Sequence, residues 1–129
     1  MQIMKILVIE NHAQMRDILV EILDLIGFTA ITSKMVGNGV EKAVAEKSDL
    51  IVMDIMMPEM SGCEATRILR GNPQTKNIPV LAATVLFRPF DLQRCTSNGC
   101  NDYIVKPFTV RQLRRKSIGL SNLHHLLGP

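Results

Sequence analysis

The chain alternates between short, unbroken apolar runs and longer stretches in which apolar residues recur at three- or four-residue intervals. An unbroken apolar run is typical of a strand that is buried on both faces of a parallel sheet. One such run, Leu50–Met53, leads directly into a carboxylate at Asp54. Strands are predicted over five segments, residues 5–9, 28–32, 50–54, 78–84 and 102–105.

Helices are predicted between these strands and after the last one. Periodic apolar residues predict a helix from Ala13 to Ile26, which Gly27 ends. Four further helices are predicted, around residues 40–44, over about 63–70, over 89–95 and after Thr109. The predicted inward face of the third helix consists of Ala65, Ile68 and Leu69. The fifth helix is predicted to contain Val110 and Leu113, and the inclusion of Ile118 is left open. Five strands that alternate with five helices predict an α/β fold with a doubly wound parallel sheet.

The length of 129 residues is that of one domain with its own core. We predict this domain over residues 1–118, because helical periodicity is lost after about Ser117. Residues 119–129 are predicted to form a C-terminal tail, either a looser helix extension or mobile, and they are too few for an effector domain. No apolar run approaches the roughly 18 residues of a membrane span. The three cysteines have no metal-binding spacing, which favours free thiols and a cytoplasmic protein.

Charge is distributed unevenly along the chain, although the formal net charge is only +3. The segment from Lys106 to the C-terminus holds five basic residues and no acid. Only Tyr103 and Phe108 are aromatic nearby, and no DNA-reading motif accompanies them. We interpret this segment as a solvated helix face rather than a nucleic-acid site.

Polar residues follow the predicted strands at their carboxyl ends, which share one edge of a parallel sheet. Asp54 ends the third strand, and Thr84 ends the fourth. Glu10 and Asn11 follow the first strand, and Lys106 follows the fifth. Carboxylates, a hydroxyl and an ammonium group at one edge suit a divalent cation together with a phosphoryl group. Asp54 is the candidate nucleophile, and attack by one anion on another requires that charge to be neutralised.

Four segments resemble a response-regulator receiver domain, over nearly the whole length from Met4 to about Lys116. They are Lys5–Glu10, Val52–Pro58 with Gly62, Ile78–Thr84 and Asp102–Phe108. The resemblance implies a flavodoxin-like, five-stranded sheet of order 2-1-3-4-5. It implies that Asp54 is phosphorylated by a sensor histidine kinase or phosphotransfer protein in a two-component phosphorelay, and that a downstream protein partner then binds differently. It implies a cytoplasmic, non-enzymatic signalling protein, and it leaves a homodimer open.

The resemblance also implies roles for individual site residues. Thr84 and Lys106 contact the phosphoryl oxygens beside Asp54, and the Lys106–Pro107 peptide bond is cis. Tyr103 is the aromatic switch partner of Thr84. Mg²⁺ is held at four positions, Glu10, Asn11, Asp54 and Met56.

Asn11 departs from the pattern of the family, which usually has a second acid at this position. An amide oxygen coordinates Mg²⁺ but brings no negative charge, so weak Mg²⁺ binding is predicted. Two positions that flank the phosphoryl group in this family are apolar here, Met56 and Leu86. A slowly hydrolysed aspartyl phosphate is therefore predicted.

Two other functions compete with the phosphoacceptor. A pseudo-receiver that lost Mg²⁺ and phosphorylation through Asn11 would still bind partners, although Asp54, Thr84 and Lys106 are all retained. A phosphatase would need an acid two residues after Asp54, where the chain has Met56. His12 is interpreted as facing solvent. The sequence leaves open whether the domain stands alone or is a fragment of a larger protein.

Overall fold

A computed structural model describes residues 4–34, 36–56, 60–85 and 88–127. Five strands and five helices alternate along these residues. The strands are β1 (Lys5–Ile9), β2 (Thr29–Ser33), β3 (Leu50–Asp54), β4 (Val80–Thr84) and β5 (Asp102–Val105). The helices are α1 (Ala13–Ile26), α2 (Val36–Glu46), α3 (Gly62–Gly71), α4 (Pro89–Ser97) and α5 (Val110–Leu127).

The strands form one parallel sheet in the order β2-β1-β3-β4-β5. The predicted doubly wound, flavodoxin-like sheet of order 2-1-3-4-5 is confirmed. Strand β2 lies on one side of β1, and β3 lies on its other side. The connections that follow β1 and β3 therefore run in opposite directions across the sheet. Ligand sites of such sheets lie in the crevice that this divergence opens at the carboxyl ends of the strands.

Successive residues of each central strand face opposite layers of helices. In β1, Leu7 and Ile9 pack on the side covered by α2, α3 and α4, whereas Ile6 and Val8 pack on the side covered by α1 and α5. All four side chains are fully buried. Both faces of β1 are therefore dry, which explains its continuous apolar sequence.

The buried face of α3 differs from the predicted one. Ala65 and Leu69 are buried as predicted, but Ile68 is 45% exposed. Thr66 is fully buried instead, because its hydroxyl donates a hydrogen bond of 2.8 Å to the Gly62 carbonyl and so tolerates the core. The prediction for Ile68 was wrong, because the inward face of α3 includes the polar residue Thr66, whereas Ile68 lies toward solvent.

Helix α5 continues to Leu127, so the predicted division at residue 118 falls inside a helix. Ser117 and Ser121 are both fully buried and lie one turn apart on the inward face. Of the two alternatives for the tail, the structure has the helix extension up to Leu127, and serines at inward positions interrupt the apolar pattern that would have indicated it. Val110 and Leu113 lie in this helix as predicted, and Leu113 is buried whereas Val110 is 48% exposed.

The amino end of α5 carries a reciprocal cap. Thr109 Oγ1 accepts a hydrogen bond of 3.1 Å from the Gln112 amide, and Gln112 Oε1 accepts one of 2.8 Å from the Thr109 amide. No helix within the described part of the chain is both long and apolar enough to cross a bilayer.

The three cysteines come together although they are far apart in sequence. Cys63 Sγ lies 3.8 Å from Cys95 Sγ, and Cys100 Sγ lies 3.5 Å from the Thr66 hydroxyl. All three are buried and free. Burial raises the pKa of the Cys95 thiol to about 12, so this thiol stays protonated at neutral pH. The cysteines pack as small apolar residues between α3 and α4.

Candidate functional site

The carboxyl ends of four strands meet at one edge of the sheet. The strand registers pair Ile9 with Met53, Asp54 with Ala83, and Thr84 with Val105. The residues at or just after these ends are therefore neighbours. They are Glu10, Asp54, Thr84 and Lys106, four of the five residues that sequence analysis assigned to this edge. The fifth, Asn11, follows Glu10 directly.

Asp54 is the last residue of β3 and is 5% exposed. Its Oδ1 atom accepts a hydrogen bond of 3.1 Å from the backbone amide of Met56. The loop after β3 turns back against the strand end, where the Gly62 amide donates to the Ile55 carbonyl at 3.0 Å. A side chain at Gly62 would meet the backbone of Asp54, because a Cβ atom there would lie 2.6 Å from the Asp54 carbonyl oxygen. This glycine therefore permits the close turn beside the carboxylate.

Lys106 links the two buried carboxylates. Its Nζ atom lies 2.9 Å from Glu10 Oε1 and 3.4 Å from Asp54 Oδ1. The Lys106 amide donates to the Thr84 carbonyl at 2.8 Å, which attaches the loop after β5 to the end of β4. The Lys106–Pro107 peptide bond is cis, as the resemblance implies.

The two buried carboxylates perturb each other because an oxygen atom of one lies within 4.8 Å of an oxygen atom of the other. Burial, followed by the hydrogen bond and charge of Glu10, raises the pKa of Asp54 to about 6, although Lys106 opposes the rise. Burial also raises the pKa of Glu10, but hydrogen bonds from Asp54, Lys106 and the His12 amide outweigh it and leave this pKa below its usual range. The site therefore holds excess negative charge at neutral pH, as a cation-binding site does.

The raised pKa of Asp54 predicts that the stability of the fold depends on pH. In metal-free buffer at pH 7, Asp54→Asn is expected to raise the free energy of unfolding by about 1 to 3 kcal/mol. Folded Asp54 loses its proton near pH 6, whereas the ordinary value is 3.8, so the ionised form destabilises the native state above pH 6. The cost disappears as the pH falls below about 4, where both states are protonated.

Urea denaturation of both proteins at pH 7 and at about pH 4 measures the difference. We expect the advantage of the asparagine variant to shrink at the lower pH. Equal stabilities at pH 7, or an advantage that is the same at both pH values, would contradict the electrostatic account.

Thr84 ends β4 and is 1% exposed. It lines a cavity of about 110 Å³ that lies between the end of β3 and helix α4. Met56, Ser61, Cys63 and Arg94 also line this cavity. The side chain of Met56 is 56% exposed at the rim of the site. Leu86, the other predicted flanking residue, lies outside the described residues.

Tyr103 lies on β5 and is half-buried. It packs against the core layer on the α3 and α4 side, and the Lys116 Nζ atom lies 5.1 Å from the centre of its ring. The ring therefore contacts a cation on α5.

Asn11 and His12 begin the loop after β1. The backbone carbonyls of Glu10 and Asn11 both accept from Arg16 Nη1, at 2.9 and 3.0 Å, which fixes the course of this loop. His12 has an exposed side chain, as predicted, yet its Nδ1 atom lies 3.5 Å from Glu10 Oε2. Sequence reasoning missed this proximity. The sequence feature that could have indicated it is the position of His12 two residues after Glu10, directly before a predicted helix.

The profile of the response regulator receiver domain family matches residues 6–117. The chain belongs to this family. The polar-differentiation response regulator DivK of Brucella anthropi is 30% identical over 105 residues, which are 81% of this chain and 85% of DivK. This receiver domain is therefore part of the two-component signalling class, whose receiver domains are signalling modules rather than conventional enzymes.

Receiver domains also occur within much larger proteins. Hybrid signal transduction histidine kinases G and D of Dictyostelium discoideum are 34% and 35% identical to this chain over 116 and 118 residues. The match covers 88% and 92% of this chain but only 3% and 8% of the kinases. The chain thus spans only a small part of the length of these two kinases.

Solved structures confirm the fold. The Vibrio cholerae chemotaxis protein CheY4 aligns with a TM-score of 0.87 and 25% identity, over 92% of this chain and 99% of its own. The receiver domain of the Pseudomonas aeruginosa sensor histidine kinase PA1611 aligns with a TM-score of 0.83 and 26% identity, over 96% and 99% of the two chains. That receiver was solved with a magnesium ion coordinated in its active site cleft.

Proposed function

We propose that this receiver accepts a phosphoryl group on Asp54 from the phosphohistidine of a sensor histidine kinase or phosphotransfer protein. The phosphorylated form then signals by changing its affinity for a downstream protein. The observation that supports this most directly is the position of Asp54, a buried carboxylate 3.4 Å from the Lys106 ammonium group at the crevice of the sheet. Without a substrate, a carboxylate and a lysine at this depth are a costly arrangement.

In the proposed transfer, a carboxylate oxygen of Asp54 attacks phosphorus in line with the phosphorus–nitrogen bond of the donor. That bond breaks, and its electron pair leaves with the imidazole nitrogen, which takes up a proton. Lys106 faces the charge that develops on the phosphoryl oxygens, and the Thr84 hydroxyl donates to one of them. Apart from the nucleophilic attack of Asp54, the protein contributes positioning and charge neutralisation.

The donor set at the site suits a divalent cation. Glu10 and Asp54 are buried carboxylates with oxygen atoms within 4.8 Å of each other, and carboxylate oxygens are preferred ligands of hard cations. In the proposed site, Glu10, Asn11, Asp54 and Met56 would hold Mg²⁺, which would supply neutralisation of phosphoryl charge. Because Asn11 contributes no charge, we expect this affinity to be low.

Adding the missing charge should strengthen Mg²⁺ binding. The variant Asn11→Asp is expected to bind Mg²⁺ at least about tenfold more tightly, on the order of 1.4 kcal/mol. Asn101→Asp is the matched control, because it adds the same charge at the opposite end of the sheet, where Asn101 accepts from the Val80 amide. Calorimetric titration of the three proteins makes the comparison, and equal affinities for Asn11→Asp and the parent would show that this residue does not reach the metal.

A small phosphodonor tests the proposed function without an identified kinase. Incubation with acetyl phosphate and Mg²⁺ is expected to add one phosphate per chain, and hydroxylamine should remove it, as it removes acyl phosphates. A phosphorylation-independent interaction module is the alternative function, and its motivation is Asn11. Failure to incorporate phosphate at saturating Mg²⁺ would favour that alternative over the phosphoacceptor.

The proposal also couples Thr84 to Tyr103. Movement of the Thr84 side chain toward a phosphoryl oxygen leaves space into which the Tyr103 ring can turn. The chain has one tyrosine and no tryptophan, so its intrinsic fluorescence reports on Tyr103 alone. We expect phosphorylation to change this fluorescence, Thr84→Ala to remove most of the change per phosphate bound, and Thr84→Ser to retain it. An undiminished change in Thr84→Ala would separate the two residues.

A further inference from the structure

Two carboxylates and an imidazole converge at the mouth of the site. Glu10, His12 and Asp54 each offer a metal-ligand atom, and these atoms all lie within 4.8 Å of one another. Two are buried carboxylates, and the third is an exposed imidazole at the rim. The arrangement thus offers a nitrogen ligand beside the oxygen ligands on which the proposed Mg²⁺ site depends.

The spacing of Glu10 and His12 suits shared coordination of one ion. Glu10 Oε2 lies 3.5 Å from His12 Nδ1. Ligand atoms about 2.1 Å from one ion are separated by roughly 3.0 to 3.4 Å in octahedral or tetrahedral geometry. The other carboxylate oxygen, Oε1, accepts a hydrogen bond from Lys106 Nζ, and this bond orients Oε2 toward the imidazole. Little movement would therefore bring both atoms onto a metal.

The helix does not use the His12 side chain. His12 occupies the N-cap position of α1, but its side chain makes no capping hydrogen bond. Serine, threonine, asparagine or aspartate is preferred at this position because such a side chain satisfies a free backbone amide. The imidazole is instead 74% exposed beside Glu10, so it is free to turn toward an ion.

Imidazole distinguishes between classes of divalent cation. It is a good ligand for Zn²⁺, Ni²⁺ and neighbouring first-row transition ions, whereas Mg²⁺ favours oxygen ligands and water. Asn11, the residue between Glu10 and His12, adds no charge that would favour Mg²⁺.

We propose that His12 is a direct ligand for a first-row transition metal ion at this site, together with Glu10 and Asp54, and that the site binds such an ion more tightly than Mg²⁺. The inference rests on the proposed function only in that it concerns the same site. It makes the receiver responsive to the supply of transition metal, because the ion that occupies the site is the one present at phosphoryl transfer.

The experiment uses Co²⁺ as the transition-metal probe and Mg²⁺ as the hard cation. The chain has three histidines, and the other two are adjacent, His124 and His125. Replacing both with glutamine gives a parent protein in which His12 supplies every imidazole signal. Calorimetric titrations then compare this parent with a protein that also carries His12→Gln.

We expect His12→Gln to weaken Co²⁺ binding at least tenfold and to change Mg²⁺ binding less than twofold. In proton NMR spectra, the Co²⁺-loaded parent should show a strongly shifted imidazole N–H resonance that the His12→Gln protein lacks. Unchanged Co²⁺ affinity, absence of that resonance from the parent, or equal losses of Co²⁺ and Mg²⁺ affinity would each overturn the assignment.

Metal binding is measured on unphosphorylated protein, so its result is independent of labelling. A protein that binds Co²⁺ through His12 but incorporates no phosphate would contradict the proposed function and leave the metal assignment standing. The converse result would overturn the metal assignment alone.

Discussion

Replacing Asp54 with asparagine is expected to abolish phosphate incorporation from acetyl phosphate. The asparagine amide cannot form an acyl phosphate. Within the described residues, two buried acids lie beside Lys106 at the crevice, Asp54 and Glu10. The carboxylate oxygens of Glu10 already accept hydrogen bonds from the Lys106 ammonium group and the His12 amide, and we expect these bonds to hold Glu10 as a ligand rather than a nucleophile. The expected result is labelling below a few per cent of the parent level.

The matched control for this loss is Asp49→Asn. Asp49 precedes the same strand, and its carboxylate accepts from the Lys5 amide at 2.8 Å, at the opposite end of the sheet. Asparagine can accept the same hydrogen bond, so we expect this variant to fold and to be labelled like the parent. Comparable labelling of Asp54→Asn and the parent would remove Asp54 from its proposed role.

The second large effect concerns the lifetime of the phosphorylated state. Hydrolysis of an aspartyl phosphate needs a water molecule in line with phosphorus, and polar side chains that flank the site can position that water. Met56 stands at one flank, half exposed at the rim, and it offers no hydrogen bond that would hold a water. Leu86, at the other flanking position of the sequence, is equally apolar.

Supplying polar groups at both positions should speed dephosphorylation. The double variant Met56→Asn, Leu86→Glu is expected to lose phosphate on the order of tenfold to a hundredfold faster, or about 1.4 to 2.7 kcal/mol of activation free energy. The measurement is the decay of purified, labelled protein after the donor has been removed.

Val85→Asn is the control for the lifetime experiment. Val85 follows Thr84 directly and is 52% exposed, so this variant adds an amide to the same loop outside the flanking positions. We expect it to decay like the parent. If the double variant also decays like the parent, apolar flanks do not set the lifetime of the phosphate.

The fold could be predicted because its central strands are continuous apolar runs in the sequence. Runs such as Ile6–Ile9 are apolar on both faces, and only a strand covered by helices on both sides requires this. The ends of strands were harder to place. Strand β4 begins at Val80 rather than at Ile78, because Pro79 has no amide hydrogen for the ladder.

Helix faces were predicted less well, since apolar spacing assumes that polar residues point outward. Thr66 and Ser117 contradict this assumption, because both are fully buried. Thr66 satisfies its hydroxyl with the Gly62 carbonyl one turn earlier, whereas within the described residues the buried Ser117 hydroxyl has no hydrogen-bond partner. Apolar spacing alone therefore gives neither the buried face of α3 nor the end of α5, because polar residues occupy inward positions in both helices.

The candidate site could be predicted as a set of strand ends but not as a set of contacts. The sequence predicts that Glu10, Asp54 and Lys106 share an edge, because parallel strands place their carboxyl ends together. It does not predict that Lys106 binds both carboxylates, or that His12 lies beside Glu10. Those contacts depend on loop conformation, which residue periodicity does not determine.

The most direct test of the phosphoacceptor proposal locates the phosphoryl group chemically. Borohydride reduces an aspartyl phosphate to homoserine, and it leaves free carboxylates unchanged. The protein should therefore be phosphorylated with acetyl phosphate and Mg²⁺, reduced, digested and sequenced by mass spectrometry, with unphosphorylated protein treated in parallel. The account predicts homoserine at position 54 in the phosphorylated sample alone. Homoserine at another position, or none in a sample that carries phosphate, would contradict it.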